Sequence, residues 1–329
     1  MTLRRYEALD GWRGICAIVV ALHHFPFING VTSLPAVRNG YLFVDFFFVL
    51  SGFVISHAWR GDEPAAFIRR RIARLWPLHL AVLTTFIAFE AVRYRLTGHG
   101  FDNDRSLVGL MPNALLLHGI GGSPTWNVPS WSISVEMGLY LSFIIFLNLP
   151  KRLRGPVAAA LVIGGLVVLA LLSPHRMNAT TDFGWARGLA GFYAGYLVQQ
   201  MRLPRSSTLA EIFIVVAIIW FVSLPEQAAH LAAPIAFGIT VGLFARENGL
   251  LSRWLLYVRY LGRWSYSIYM NHYLIAAILA AAVNRGVVNE EWWLLPVYLG
   301  ATIAVSAATY RLVEVPGQAF GRRLVIKPA

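Results

Sequence analysis

Arg13 and His24 lie eleven residues apart in an otherwise apolar run, Ala8 to Phe25. At 100° per residue both side chains return to one face of a helix, roughly 16 Å apart along its axis. A guanidinium binds anions, and an imidazole near neutrality serves as general base or nucleophile. Together they suggest a polar path into an apolar layer, with chemistry at its far end. Asp45 lies about one turn below the outer end of the next apolar run, Tyr41 to His57, at a depth similar to that of His24. A carboxylate beside an imidazole fixes its tautomer and raises its basicity. The plainer alternative is an ion pair that locks two helices. Two neighbouring ionisable groups at membrane depth favour a functional role. Ser51 and Gly52 add a small-residue contact of the kind that packs helices, and His23, 100° round from His24, is secondary.

Three more constellations carry chemistry. Arg71 and Arg74 share a helical face in a basic run that ends at Pro77, which is expected to open the next span. Two guanidiniums on one face suit a phosphate or pyrophosphate, and contact with lipid headgroups is the competing role. Glu136 lies about two turns into an apolar helix, where a carboxylate needs a partner such as Arg187 or a histidine, or a proton; a structural and a catalytic role for it stand equally open. Trp126 and Trp131 read as interfacial anchors. Tyr266, Tyr269 and His272 recur every third residue on one face, to line a polar tunnel or to bond neighbouring helices. His57, His79, His99, His118, His175 and His230 show no ligand spacing, so no metal is expected.

The elements that must hold these residues are membrane helices. The chain is 57% hydrophobic and 13% charged, against about 25% charged in soluble domains. Ten apolar stretches approach spanning length: 9–28, 41–58, 76–95, 129–149, 156–173, 184–200, 208–223, 230–245, 264–284 and 292–312. The segment 106–120, interrupted by Pro112, reads as re-entrant or interfacial. The fold class is therefore all-α: one polytopic transmembrane bundle over 1–329, without a repeat or a soluble domain. Arg4, Arg5, Arg60, Arg69, Arg70, Arg71, Arg74, Lys151, Arg152, Arg154, Arg202, Arg205, Arg246, Arg253, Arg259, Arg263, Arg322, Arg323 and Lys327 then fall on one side. That bias places both termini in the cytoplasm. It also accounts for the net charge of +12 without a nucleic-acid partner. The lone Cys16 excludes an intramolecular disulfide and a Cys-rich metal site. The first span lacks a cleavage pattern and is expected to be retained.

Taken in order, these motifs resemble the acyltransferase family 3 membrane proteins. The resemblance rests on Arg13 and His24; Asp45-Phe-Phe-Phe-Val-Leu-Ser-Gly-Phe53; Arg71-x-x-Arg74-x-x-Pro77; Trp131-Ser-Ile-Ser-Val-Glu136; Arg187 with Phe192 and Gly195; and Ser265-Tyr-Ser-Ile-Tyr-Met-Asn-His272. It implies ten core helices and transfer of an acyl group, usually acetyl from acetyl-CoA, to a hydroxyl of an extracytoplasmic or membrane-associated glycan. No metal is implied. CoA would enter from the cytosol at Arg71 and Arg74, its arm passing Arg13 towards His24. His24, oriented by Asp45, would act as general base or carry the acyl group. Some members carry a fused extracytoplasmic domain. This chain ends soon after its tenth expected span, so it is expected to complete transfer itself or with a separate extracytoplasmic partner. The expected location is a bacterial inner membrane. The runner-up is a proton-coupled transporter or flippase of a glycan or lipid-linked substrate, with Asp45, His24 and Glu136 as relay.

Overall fold

The computed structural model describes residues 6–27, 29–59, 61, 63–101, 105–201, 206–225 and 227–323. Arg4, Arg5, Arg60, Arg202, Arg205 and Lys327 of the basic set lie outside the described residues. Eleven helices carry the argument: α1 Glu7–His23, α2 Phe43–Ala58, α3 Pro64–Thr97, α4 Trp131–Leu147, α5 Lys151–Leu171, α6 Gly184–Gln200, α7 Thr208–Val222, α8 Ala233–Phe244, α9 Leu250–Asn284, α10 Leu294–Thr309 and α11 Val315–Arg323. No strand occurs among the described residues. The protein is an all-α integral membrane protein. Among the described residues, five helical stretches are long and apolar enough to cross a membrane: Gly40–Ala58, Pro64–Thr97, Val128–Leu147, Lys151–Leu171 and Leu250–Asn284. The other expected spans coincide with α1, α6, α7, α8 and α10, which run 12 to 17 residues.

Two expected boundaries move. Pro77 does not open a helix; it lies inside the 34-residue α3, which begins with Pro64 in its first turn. Proline costs a helix one N–H and a steric clash, and a packed neighbour can absorb both. That neighbour is α11, whose Gly317 lies against Pro77 and the Ala73 carbonyl, the group the missing N–H leaves unpaired. Consequently Arg71 and Arg74 are on the same rod as the span that follows them. Similarly, α9 starts at Leu250 and runs 35 residues, well before the expected start at 264.

The chain divides into two compact units. The first holds α1, α2, α5, most of α6, α7, α8 and α9 up to Tyr266. Its centre is aromatic: Trp12 packs on Phe46 and edge-on to Phe244, and Phe43 and Phe46 meet Phe237. There α2 and α6 run in the same direction almost backbone to backbone. A side chain at Gly52 would strike the Phe192 carbonyl, and one at Gly195 the Val49 carbonyl, so both positions require glycine. The second unit holds α3, α4 to Ile145, α9 from Ser267, α10 and α11. Its α10 and α11 are joined by a π-helical turn, Tyr310–Glu314.

Candidate active site

In the first unit His24 caps the C-terminus of α1. Its Nδ1 lies 2.9 Å from the Val20 carbonyl oxygen. A carbonyl only accepts, so Nδ1 carries the proton and Nε2 of the neutral ring is the basic nitrogen. His23 packs edge-on to His24, with ring centres 4.9 Å apart, and turns its own Nδ1 to the Val37 carbonyl at 3.2 Å. Arg13, further back on α1, pairs with Asp10 at 3.4 Å.

Asp45 and Arg187 are both fully buried and form a two-pronged pair. Nη2 donates to Oδ2 at 2.7 Å and Nε to Oδ1 at 3.3 Å. Arg187 also donates to the Ala179 carbonyl at 2.8 Å and to the Tyr41 carbonyl at 3.1 Å. Of the sequence candidates, it is Asp45 that Arg187 pairs with here. The close α2–α6 packing through Gly52, Gly191 and Gly195 sets the fork directly against the carboxylate. Tyr41, one turn before Asp45, sends its hydroxyl to His230 Nδ1 at 3.1 Å and its ring against His23. His230 thus joins the cluster although its sequence spacing gave no sign of it. Ser51 is half-buried on α2, and Tyr266 is buried near the middle of α9.

The second unit carries the remaining candidates. Glu136 accepts a hydrogen bond from Tyr140 one turn on, at 2.5 Å. The Arg71 guanidinium lies over the Tyr140 and Phe67 rings, 5.6 and 5.2 Å from their centroids. It forms no hydrogen bond or ion pair with a described residue, and its Nε is buried without an acceptor. Arg74 follows on the same face of α3. On α9, Tyr269 donates to the Pro129 carbonyl at 2.9 Å and shares a 2.7 Å hydrogen bond with Ser132. His272 turns Nδ1 to the Ile268 carbonyl at 3.1 Å, its ring 5.8 Å from that of Tyr269. Both residues are buried.

Sequence reasoning missed a further pair. His79 and His118 stack at 5.9 Å with an interplanar angle of 8°. His79 Nε2 meets the Asn113 carbonyl at 2.7 Å, and His118 Nε2 meets Ser130 Oγ at 3.0 Å. Asn113 also ties the segment read as re-entrant to the residues that follow it, donating to the Gly109 and Pro124 carbonyls and accepting from the Trp126 N–H. Trp126 and Trp131 are buried here, at 0% and 4% exposure, rather than serving as interfacial anchors. The indole of Trp126 is held inside by donating to the Ser106 carbonyl. Among the described residues no group of three or more His, Cys, Asp or Glu could hold a metal ion.

A family model described as an acyltransferase domain matches residues 6–311. The chain belongs to this acyltransferase family. It is 32% identical over 161 residues to the acyltransferase MdmB of Streptomyces mycarofaciens, covering 45% of this chain and 41% of the relative. It is 22% identical over 365 residues to the peptidoglycan O-acetyltransferase OatA of Listeria monocytogenes, covering 95% of this chain and 56% of the relative. It is 27% identical over 302 residues to the exopolysaccharide production protein ExoZ of Rhizobium meliloti, covering 83% and 88%. The chain thus spans about half the length or less of the first two relatives. No solved structure matches it.

Proposed function

We propose that the protein is a membrane O-acyltransferase. It moves an acyl group, in the simplest case acetyl, from acyl-CoA to a hydroxyl of a cell-surface, lipid-linked or exported glycan, in a bacterial inner membrane. The observation that carries this reading is His24, whose Nδ1 is tied to Val20 so that Nε2 is basic. The names of the O-acetyltransferase and exopolysaccharide relatives support a glycan acceptor.

In this reading His24 Nε2 takes the proton of the acceptor hydroxyl as its oxygen bonds the thioester carbon. The carbon–sulfur bond then breaks, and the CoA thiolate recovers the proton from the imidazolium. Asp45 and Arg187 act as positioning residues. Their ion pair holds the start of α2, and with it Tyr41 in the turn just before that helix, next to the histidines. Arg71 and Arg74 receive CoA phosphates; the buried Arg71 Nε, without an acceptor among the described residues, supports that assignment. Arg13 follows the donor along α1. Glu136, hydrogen-bonded to Tyr140, steadies the ring on which Arg71 lies. Ser51, Tyr266, Tyr269 and His272 are assigned to the acceptor or donor path.

The test uses full-length protein in detergent with labelled acetyl-CoA and a candidate glycan. His24→Ala should abolish transfer while the protein still folds and binds donor. Near-normal transfer by well-folded His24→Ala protein would remove His24 from the chemistry. A stable labelled protein adduct that is lost in His24→Ala would favour a covalent acyl-histidine step over general-base catalysis.

A further inference from the structure

In the first unit, α1 crosses the front half of α9. A side chain at Gly262 would strike the Asp10 carbonyl, and one at Gly11 or Gly14 would meet Leu255 or Leu261, so the backbones nearly touch. This crossing presents Arg259 and Arg263, four residues apart and so on one face of α9. Both guanidiniums lie on the ring of Tyr260, at 5.4 and 4.8 Å from its centroid.

The acceptors at the crossing do not match these donors. Glu7 reaches Arg259 with one 3.3 Å contact, and Asp10 is engaged with Arg13. Arg263 forms no hydrogen bond or ion pair with a described residue. The Nε atoms of both arginines are buried without an acceptor among the described residues. Each guanidinium has five N–H donors in a planar fork. Buried donors left unpaired are costly, and like charges at this spacing repel. A multivalent anion bridging the two forks would relieve both penalties. The location suits one. A 35-residue helix is about 52 Å long, so it overruns the roughly 30 Å hydrocarbon layer, and these residues precede its apolar stretch.

We propose that Arg259 and Arg263 form a phosphate-binding site on the front half of α9. Two sources share that chemistry: the phosphoryl groups of a CoA donor and the headgroup phosphate of an anionic phospholipid. The first source rests on the donor reading above; the second does not.

The experiment uses purified full-length protein and needs no turnover. One arm measures CoA and 3′-dephospho-CoA binding in detergent. The other measures phosphatidylglycerol retained by the protein from vesicles of phosphatidylglycerol and phosphatidylcholine. Arg263→Gln and Arg259→Gln should each weaken one of the two ligands about tenfold, with Arg263→Lys between them and wild type. Arg253→Gln, an exposed arginine on the same helix, should change neither. Loss in the CoA arm assigns the site to the donor, and loss in the lipid arm assigns it to the headgroup. If both Gln variants keep wild-type melting behaviour and both affinities, no phosphate site exists here. Equal loss in Arg253→Gln reduces the effect to general charge and also overturns the proposal. His24→Ala should leave both arms intact, so a failed catalytic assignment and a failed phosphate site give different results.

Discussion

His24 and His272 share a device: each turns Nδ1 onto the carbonyl four residues back, leaving Nε2 basic. His24 differs in place, at the open end of α1 beside His23, whereas His272 is fully buried within α9. His24→Gln should therefore lower kcat by about 10²- to 10⁴-fold, the range of a lost general base, with little change in KM for the acyl donor. Steady-state transfer assays read both. The residue types were legible in the sequence, because ionisable groups at membrane depth are rare enough to stand out. Their pairing was not. Sequence gives the depth of Asp45 and Arg187 but not the rotation and separation of α2 and α6, and these bring the two side chains together. Removing one partner leaves an uncompensated buried charge. Asp45→Asn or Arg187→Gln should each cost about 3–5 kcal/mol. The double variant should be more stable than the sum of the two losses predicts, because it leaves no lone charge. Thermal melts of all three in one detergent measure this, and additive losses would refute the coupling.

At the scale of elements, the ten apolar stretches were legible as helices from hydropathy and length. What escaped was where the two long rods begin. Pro77 looked like a start signal, but α11 covers it through Gly317, a contact nearly 240 residues away in sequence. The start of α9 is set by Glu211 of α7, a cue 38 residues before Gly249. Its buried carboxylate accepts from the Gly249 and Ser252 N–H groups at 3.0 Å and from the Ser252 hydroxyl at 2.6 Å. It thus caps the positive end of that helix. Glu211→Gln keeps the shape and loses the charge, so it should cost about 1.5–3 kcal/mol, read as a lower melting midpoint. The loop after α3 holds a pH-sensitive element. Burial, and then the adjacent His79, push His118 from the usual 6.5 down to about 4. The folded state therefore binds fewer protons than the unfolded one. Its stability is full above about pH 6.5 and falls as pH drops towards 4. Melting points across that window should fall, and His118→Gln should flatten the fall.

At the scale of the whole molecule the decisive quantity is where charge lies along the chain. Only 13% of residues are charged, yet the net charge is +12, and arginine clusters recur beside alternate helices. Such a bias orients a membrane protein during insertion. It puts Arg71, Arg74, Arg259 and Arg263 on the side expected to be cytosolic, where an anionic CoA donor is available. His24 and Asp45 lie near the opposite ends of their helices, since α1 ends at His23 and α2 begins at Phe43. A donor taken from one side should therefore acylate an acceptor on the other. Vesicles reconstituted with the protein, their orientation set by an independent tag, test this. Acetyl-CoA supplied only on the N-terminal side should acetylate glycan enclosed on the far side, and Arg71→Ala with Arg74→Ala should raise the donor concentration required. Each lost charge-assisted contact should cost about 1.5–3 kcal/mol, roughly ten- to a hundredfold in donor affinity. Transfer only when donor and acceptor share a face would contradict the transmembrane route. An unchanged donor requirement in the arginine variants would return α3 to a role at lipid headgroups.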